Sequence, residues 1–192
     1  MTSDSAEDED KDGDQNEDEN GEDNMDSSIE IEPATTADID AITELWVRLA
    51  RDQRRHESAV RAEPNRDVMR ETLAAHCTAG GLLVARINGD IAGFASFSIE
   101  HGTLELDTDR GTLTNLYVEP PYRDRGIGTA LLEAAERRLA EQGIEVMTLE
   151  VMAENDAARR FYREQGYDPF RVGMQRSLDD RSENDTHSKE DG

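Results

Sequence analysis

A chain of 192 residues with a formal charge of −24 and only two lysines, Lys11 and Lys189, has no basic stripe with which to hold nucleic acid. No apolar run approaches the ~20 residues that span a bilayer, and the acidic start lacks the basic and apolar regions of a secretory signal. The single cysteine, Cys77, excludes a disulfide framework and a cysteine-based metal centre, so a cytoplasmic, metal-free protein that touches neither membrane nor nucleic acid is expected.

The charge is unevenly spread: residues 1–28 carry −12 and residues 179–192 carry −4, which leaves −8 on 29–178. Apart from alanine and methionine, residues 1–28 hold nothing apolar, so ordering them would not bury enough surface to offset the entropy lost. Both ends read as disordered acidic tails around one domain, 29–178. Acid runs of this kind favour solvation; a basic partner is the competing reading.

Ile29 to Glu32 alternates apolar and acidic residues like a short strand, and Thr35 with Asp38 three residues on marks a helix start. Ile39, Ile42, Leu45, Trp46 and Leu49 then form one apolar stripe. A second helix runs from Asn65 through Val68, Met69, Leu73 and Cys77 to a stop at Gly80-Gly81. Asn88-Gly89, the pair suited to a tight turn at positive φ, joins strands Leu82 to Ile87 and Ile91 to Ile99. Gly111 to Val118 is the next strand. Its following helix places Ile127, Leu131, Leu132, Ala135 and Leu139 on one face and stops at Gly143. Glu145 to Val151 reads as a strand, Asp156 to Gln165 as a helix ended by Gly166, and Tyr167 to Leu178 as a last pair of strands. The order is that of a mixed α/β sheet with helices packed on it.

Between the strand and the helix of 111–139 lies the chemically suggestive segment. Leu113 to Val118 ends at Pro120-Pro121, and Arg123-x-x-Gly126-x-Gly128 opens the helix. A helix N-terminus offers unpaired N–H groups and the positive end of its dipole, and glycines let backbone approach phosphate oxygens. The turn therefore suits a pyrophosphate, while a plain connection remains the competing reading. A dinucleotide fingerprint is excluded because Leu131 stands where a third glycine is needed, and a phosphate loop is excluded because Gly-Lys-Ser/Thr is absent.

A second pattern lies downstream, Asn155-x-x-Ala158-x-x-Phe161-Tyr162 with Gly166-Tyr167. With Leu116-Tyr117-Val118 and the glycine turn, in this order and on these elements, the chain resembles the GNAT superfamily of N-acetyltransferases over nearly all of 29–178. The resemblance implies a mixed, mostly antiparallel sheet that splays open between its fourth and fifth strands, with helices on both faces. It also implies acetyl-CoA as acyl donor. Pantetheine would pair with backbone at Leu116 and Val118 beside Tyr117, and the pyrophosphate would sit on Arg123, Asp124, Arg125, Gly126, Ile127, Gly128 and Thr129. Asn155 would contact the pantetheine arm or a water next to it, Ala158 would be a further cofactor-binding residue, and an N–H near Leu116 would face the thioester oxygen, making Leu116 a catalytic position. Tyr162, protonated at neutral pH like an ordinary tyrosine, would protonate the leaving thiolate. Without the resemblance Tyr162 reads as an aromatic at a buried helix edge beside Phe161.

One departure concerns the base. Several members of that family place a carboxylate four residues before the position matching Leu116, and here that position is Thr112. Glu100, His101, Glu105, Glu150, His56 and Glu57 are the nearby candidates, and only a histidine has an ordinary pKa near neutrality. Arg51, Arg54, Arg55 and Arg61 lie in the stretch that would face the acceptor; they suit an acceptor carboxylate or phosphate, or else they balance surface acids. The function implied is acetyl transfer to a primary amine by direct attack, with a small-molecule acceptor ahead of a protein N-terminus or lysine. A non-catalytic acyl-CoA-binding regulator is the alternative of another kind. Monomer and homodimer both fit. Because lysine is confined to the tails and the domain is acidic, the composition also resembles that of proteins from salt-loving archaea. There, screening lengths of about 3 Å at 1 M salt make dense acidic charge tolerable.

Overall fold

In a computed structural model, residues 28–100 and 107–178 are described. They comprise β1 (Ile29–Pro33), α1 (Ile39–Gln53), α2 (Arg66–Thr78), β2 (Leu82–Ile87), β3 (Asp90–Ile99), β4 (Arg110–Val118), α3 (Ile127–Glu141), β5 (Val146–Leu149) and α4 (Asp156–Glu164). The strands form one sheet in the order β1-β2-β3-β4-β5, antiparallel except for the parallel β4–β5 pair that α3 connects. Most of the acidic tails, with His101 and Glu105, lies outside the described residues.

Period-2 alternation divides the sheet's side chains between two cores. On one face Val84, Phe94 and Tyr117 pack with Ile42, Trp46 and Leu73 of α1 and α2; on the other, Leu83, Phe97 and Leu113 pack with Leu131, Leu132 and Leu139 of α3. The entry to α1 is tied down before the helix begins. Thr35 donates its backbone N–H and its hydroxyl to Asp38 Oδ2, both at 2.8 Å, and Arg86 of β2 reaches Asp38 Oδ1 at 2.8 Å while also pairing with Glu32 of β1. Burial alone raises the Asp38 pKa, but Arg86 and the Thr35 donors outweigh it and hold the carboxyl below its ordinary value. Asn88 and Gly89 both take positive φ, 52° and 89°, the geometry of a tight hairpin turn.

The expected last pair of strands over Tyr167 to Leu178 is not formed. That segment carries no strand, and Phe170, Val172, Met174 and Leu178 stand mostly exposed. The alternation that suggested strands is real, but Pro169 removes a ladder donor, and β5, the strand at that edge of the sheet, is only four residues long. The fifth strand is also shorter than its sequence pattern of Glu145 to Val151 suggested, because the chain leaves the sheet after Leu149.

Candidate active site

The sheet opens at one defined place. β4 and β5 pair from Arg110↔Val146 to Leu113↔Leu149 and no further. At the same residue the register with β3 shifts: Leu113 faces Phe97 and Asn115 faces Ser96, so Thr114 has no partner and β4 carries a bulge. A bulge bends and twists the bulged strand, and here it coincides with the parting of β4 from β5. Asn115 donates to the buried Ser96 hydroxyl at 2.8 Å, which fixes the strand just beyond the bulge. The stretch Asn115 to Val118 is thereby left with β3 on one side and the opening on the other, and Leu116 and Val118 pack on the α3 side. The Tyr117 side chain points the opposite way, into the α1/α2 core against Phe94, so its contribution to the opening is its backbone.

Below the opening, the Arg123 to Gly126 loop turns through two left-handed positions, Asp124 at φ 60° and Gly126 at φ 79°. Aspartate tolerates that region better than most residues and glycine pays no steric penalty in it. Alternating conformations of this sort cup backbone N–H groups toward one point, and the first-turn N–H groups of Ile127, Gly128 and Thr129 open beside them. Gly128 has an ordinary φ, and a Cβ built on it would find its nearest neighbour, Phe161 Cζ, at 3.6 Å. The fold therefore does not itself demand glycine there, whereas a diphosphate lying on the first turn would.

The two arginines of this turn differ. Arg123 Nε donates to the Val118 carbonyl at 2.9 Å, its Nη2 lies 3.4 Å from Asp52 of α1, and its guanidinium covers the Tyr117 ring. It clamps the end of β4 to α1 and occupies a carbonyl expected to pair with pantetheine. Arg125 stacks over Tyr122 at 6.0 Å and is the arginine placed to add charge beside the loop.

The third wall is α4. The Asn155 side chain caps it, Oδ1 accepting from the Ala158 N–H at 3.0 Å, which commits the oxygen and leaves the amide NH₂. Phe161 reaches α3 at Gly128, and Tyr162 stacks edge-on with Phe161 and Tyr167 at 5.2 and 5.8 Å. Burial pushes the Tyr162 hydroxyl up to about 12, so it stays protonated at any physiological pH and is a donor, not a base. Tyr167 is fixed in turn by Glu136 of α3, to which its hydroxyl donates at 2.7 Å.

Of the residues expected at the site, Leu116 to Val118 lie on β4 beyond its pairing with β5, Arg123 to Thr129 form the turn into α3, and Asn155, Ala158 and Tyr162 belong to the start and body of α4, whose Phe161 and Tyr162 pack on the α3-side core. Two of the four arginines expected to face the acceptor balance nearby acids, Arg51 pairing with Glu63 and Arg55 lying 3.8 Å from Asp52, whereas Arg54 and Arg61 form no ion pair among the described residues. Sequence reasoning missed the structural duty of Arg123, whose acid partner is 71 positions away and leaves no local signal.

A mixed sheet whose fourth and fifth strands part beside a bulge, followed by a glycine turn into a helix, is the arrangement of acyl-CoA-dependent acyltransferases. The chain belongs to the acetyltransferase (GNAT) family, whose model matches residues 40–167. It is 36% identical over 80 residues to the [ribosomal protein bS18]-alanine N-acetyltransferase of Escherichia coli strain K12; the match takes in 42% of this chain and 49% of that protein, about half the relative's length. Among solved structures, a GCN5-related N-acetyltransferase from Ralstonia eutropha JMP134 superposes with a TM-score of 0.63 at 24% identity, covering 79% of this chain and 99% of the other. AAC(6')-Iy, in complex with the bisubstrate analogue CoA-S-monomethyl-acetylneamine, gives 0.62 at 20%, again over 79% and 99%. At these identities the structural likenesses establish the fold. Among the described residues no helix is long and apolar enough to cross a membrane, and no group of three metal-ligating side chains occurs.

Proposed function

We propose that the protein transfers an acetyl group from acetyl-CoA to a primary amine by direct attack, with a small-molecule amine as acceptor. The observation that carries this reading is the coincidence of the β4 bulge with the end of β4–β5 pairing, directly above a turn with two left-handed residues. The cosubstrate supplies the thioester; the chain's residues bind it and manage charge. The N–H groups of the Gly126 to Thr129 turn and the Arg125 guanidinium hold the diphosphate, and β4 backbone at Leu116 lines the pantetheine arm as an added strand would. The Leu116 N–H meets the negative charge that builds on the thioester oxygen, a contact typically worth ~2.7–4 kcal/mol of barrier. Tyr162, kept protonated by burial, returns a proton to the thiolate.

The α1–α2 connection crosses the acceptor side of the opening, fastened by His56 to Glu154, and such a crossing suits a slender amine. A protein N-terminus is the second reading, favoured by the sequence likeness to an alanine N-acetyltransferase. The dense acidic charge and near absence of lysine suit work in concentrated KCl, where an assay belongs. In that medium, release of thiol from acetyl-CoA is measured with a pooled library of small amines and, separately, with peptides bearing free N-termini. Release that depends on the small amines, with acetylated product seen by mass spectrometry, is the expected result. Release with peptides alone transfers the acceptor assignment to protein N-termini, and binding of acetyl-CoA without release to any amine refutes the enzyme.

A further inference from the structure

A primary ammonium cannot attack a thioester until it loses a proton, and neither Tyr162 nor any backbone group can take one. Thr112 puts no carboxylate on β4 near the opening, and Glu100, which comes closest to replacing it, is committed. Its Oε1 accepts from Thr112 Oγ1 at 2.5 Å and from Thr148 Oγ1 at 2.9 Å, and those donors hold the carboxyl below its ordinary value. A carboxylate stabilised in this way is a poor proton acceptor.

The α1–α2 connection supplies a better one. At Asp52, α1 is fastened to the end of β4, since Arg123 joins Asp52 to the Val118 carbonyl, and Arg48 pairs with Glu119 one residue on. Four residues later His56 Nδ1 lies 3.2 Å from the carbonyl oxygen of Glu154, in the loop between β5 and α4. The chain therefore passes from the end of β4 to the far wall of the opening within one turn, and His56 is the side chain that completes the crossing. Glu154 immediately precedes Asn155, the cap of α4. Opposite a carbonyl oxygen, Nδ1 must carry the hydrogen, which leaves Nε2 of the neutral ring with its lone pair free for another partner. Half-buried His56 is followed by Glu57 at φ 67°, a left-handed position that turns the chain away directly after it.

We propose that His56 is the general base of the transfer, its Nε2 taking the proton of the acceptor ammonium on the α1/α2 side of the opening. This rests on the acetyltransferase reading above. The ammonium proton passes to Nε2 and on to solvent; the freed nitrogen lone pair forms the C–N bond and the C–S bond breaks. The nitrogen's second proton, shed as the amide forms, balances the one Tyr162 gives to the thiolate. Charged groups around the crossing are Asp52, paired with Arg123 and Arg55; Asp156, near Arg159; and Glu57 and Glu154. An acid limb in kcat/KM that disappears when the imidazole is removed is the signature the proposal requires.

The test compares wild type with His56→Gln and Glu100→Gln, measuring kcat/KM for a turned-over amine across pH and acetyl-CoA binding by calorimetry. His56→Gln is expected to bind acetyl-CoA within twofold of wild type, to lose about 100-fold in turnover at neutral pH with the acid limb gone, and to recover with added imidazole. Glu100→Gln keeps wild-type turnover. His56→Gln within threefold of wild type with an unchanged pH profile overturns the proposal, as does a loss that imidazole never restores while acetyl-CoA binding persists. If wild type itself acetylates no amine, the transferase reading falls and the proposal falls with it, an outcome distinguishable from the others by the wild-type trace alone.

Discussion

At Tyr162 the local physics and the proposed chemistry meet in one measurable group. Its hydroxyl is held protonated to about pH 12 by burial between Phe161 and Tyr167, so removing the oxygen alone keeps the packing and deletes the donor. Tyr162→Phe is expected to lower kcat by about 100-fold and leave acetyl-CoA binding within threefold, as stopped-flow turnover and calorimetry would show. Asp38 makes a different prediction, about stability. Its folded pKa lies below the unfolded value, so its contribution is fully present above the unfolded pKa and is lost as pH falls through the folded one. Asp38→Asn should cost about 2 kcal/mol at pH 7 in chemical unfolding, and that difference should shrink on acidification below pH 4. The local pairing was legible, since Thr35 and Asp38 stand at cap spacing; the Arg86 partner, 48 positions away, was not. Asn155 and Arg123 both carry structural duties that the sequence reading did not assign. The first caps its own helix three residues on, while the second clamps a strand to a distant helix.

Helices and the hairpin were readable because each repeats its apolar residues at its own period, and α2, α3, α4 and the hairpin each stop at a glycine or an Asn-Gly turn. The bulge at Thr114 was not, because nothing in the sequence Thr112 to Leu116 distinguishes a bulged residue from a paired one; only the β3 register shows it. The missing last strands are the converse case. Phe170, Val172 and Met174 alternate as a strand does, yet alternation states only which face is apolar and not whether a neighbouring strand is there to pair with. The turn before α3 carries the element-scale prediction. Gly126 at φ 79° is in a region that costs an L-residue roughly 1–2 kcal/mol, so Gly126→Ala should lower stability by about that amount. It should also weaken acetyl-CoA binding beyond what the lost stability explains, by about tenfold in calorimetry. Gly128→Ala, at an ordinary φ where an added Cβ meets nothing nearer than Phe161 Cζ at 3.6 Å, should weaken binding with little change in unfolding midpoint.

Over the whole molecule, charge and site are separable. The tails hold −16 of the −24, and the transfer chemistry proposed for 29–178 uses none of their residues. Removing 1–28 and 179–192 should leave turnover within about twofold, and the thermal midpoint should rise as KCl increases from ~0.1 M to ~2 M through screening of the acidic surface. Composition could suggest the medium but not the acceptor, because the loops proposed to face it meet at points, such as His56 with Glu154, that lie 98 positions apart in the chain. The central claim is that the opening between β4 and β5 holds acetyl-CoA and delivers its acetyl group to an amine. Single-turnover transfer from labelled acetyl-CoA in concentrated KCl, with wild type beside Tyr162→Phe, tests it most directly. Amine-dependent appearance of labelled product in wild type, slowed about 100-fold in a variant that still binds acetyl-CoA, is the predicted result; equal rates in the two proteins would contradict the proposed role of the buried hydroxyl, and no product from wild type would contradict the transfer itself.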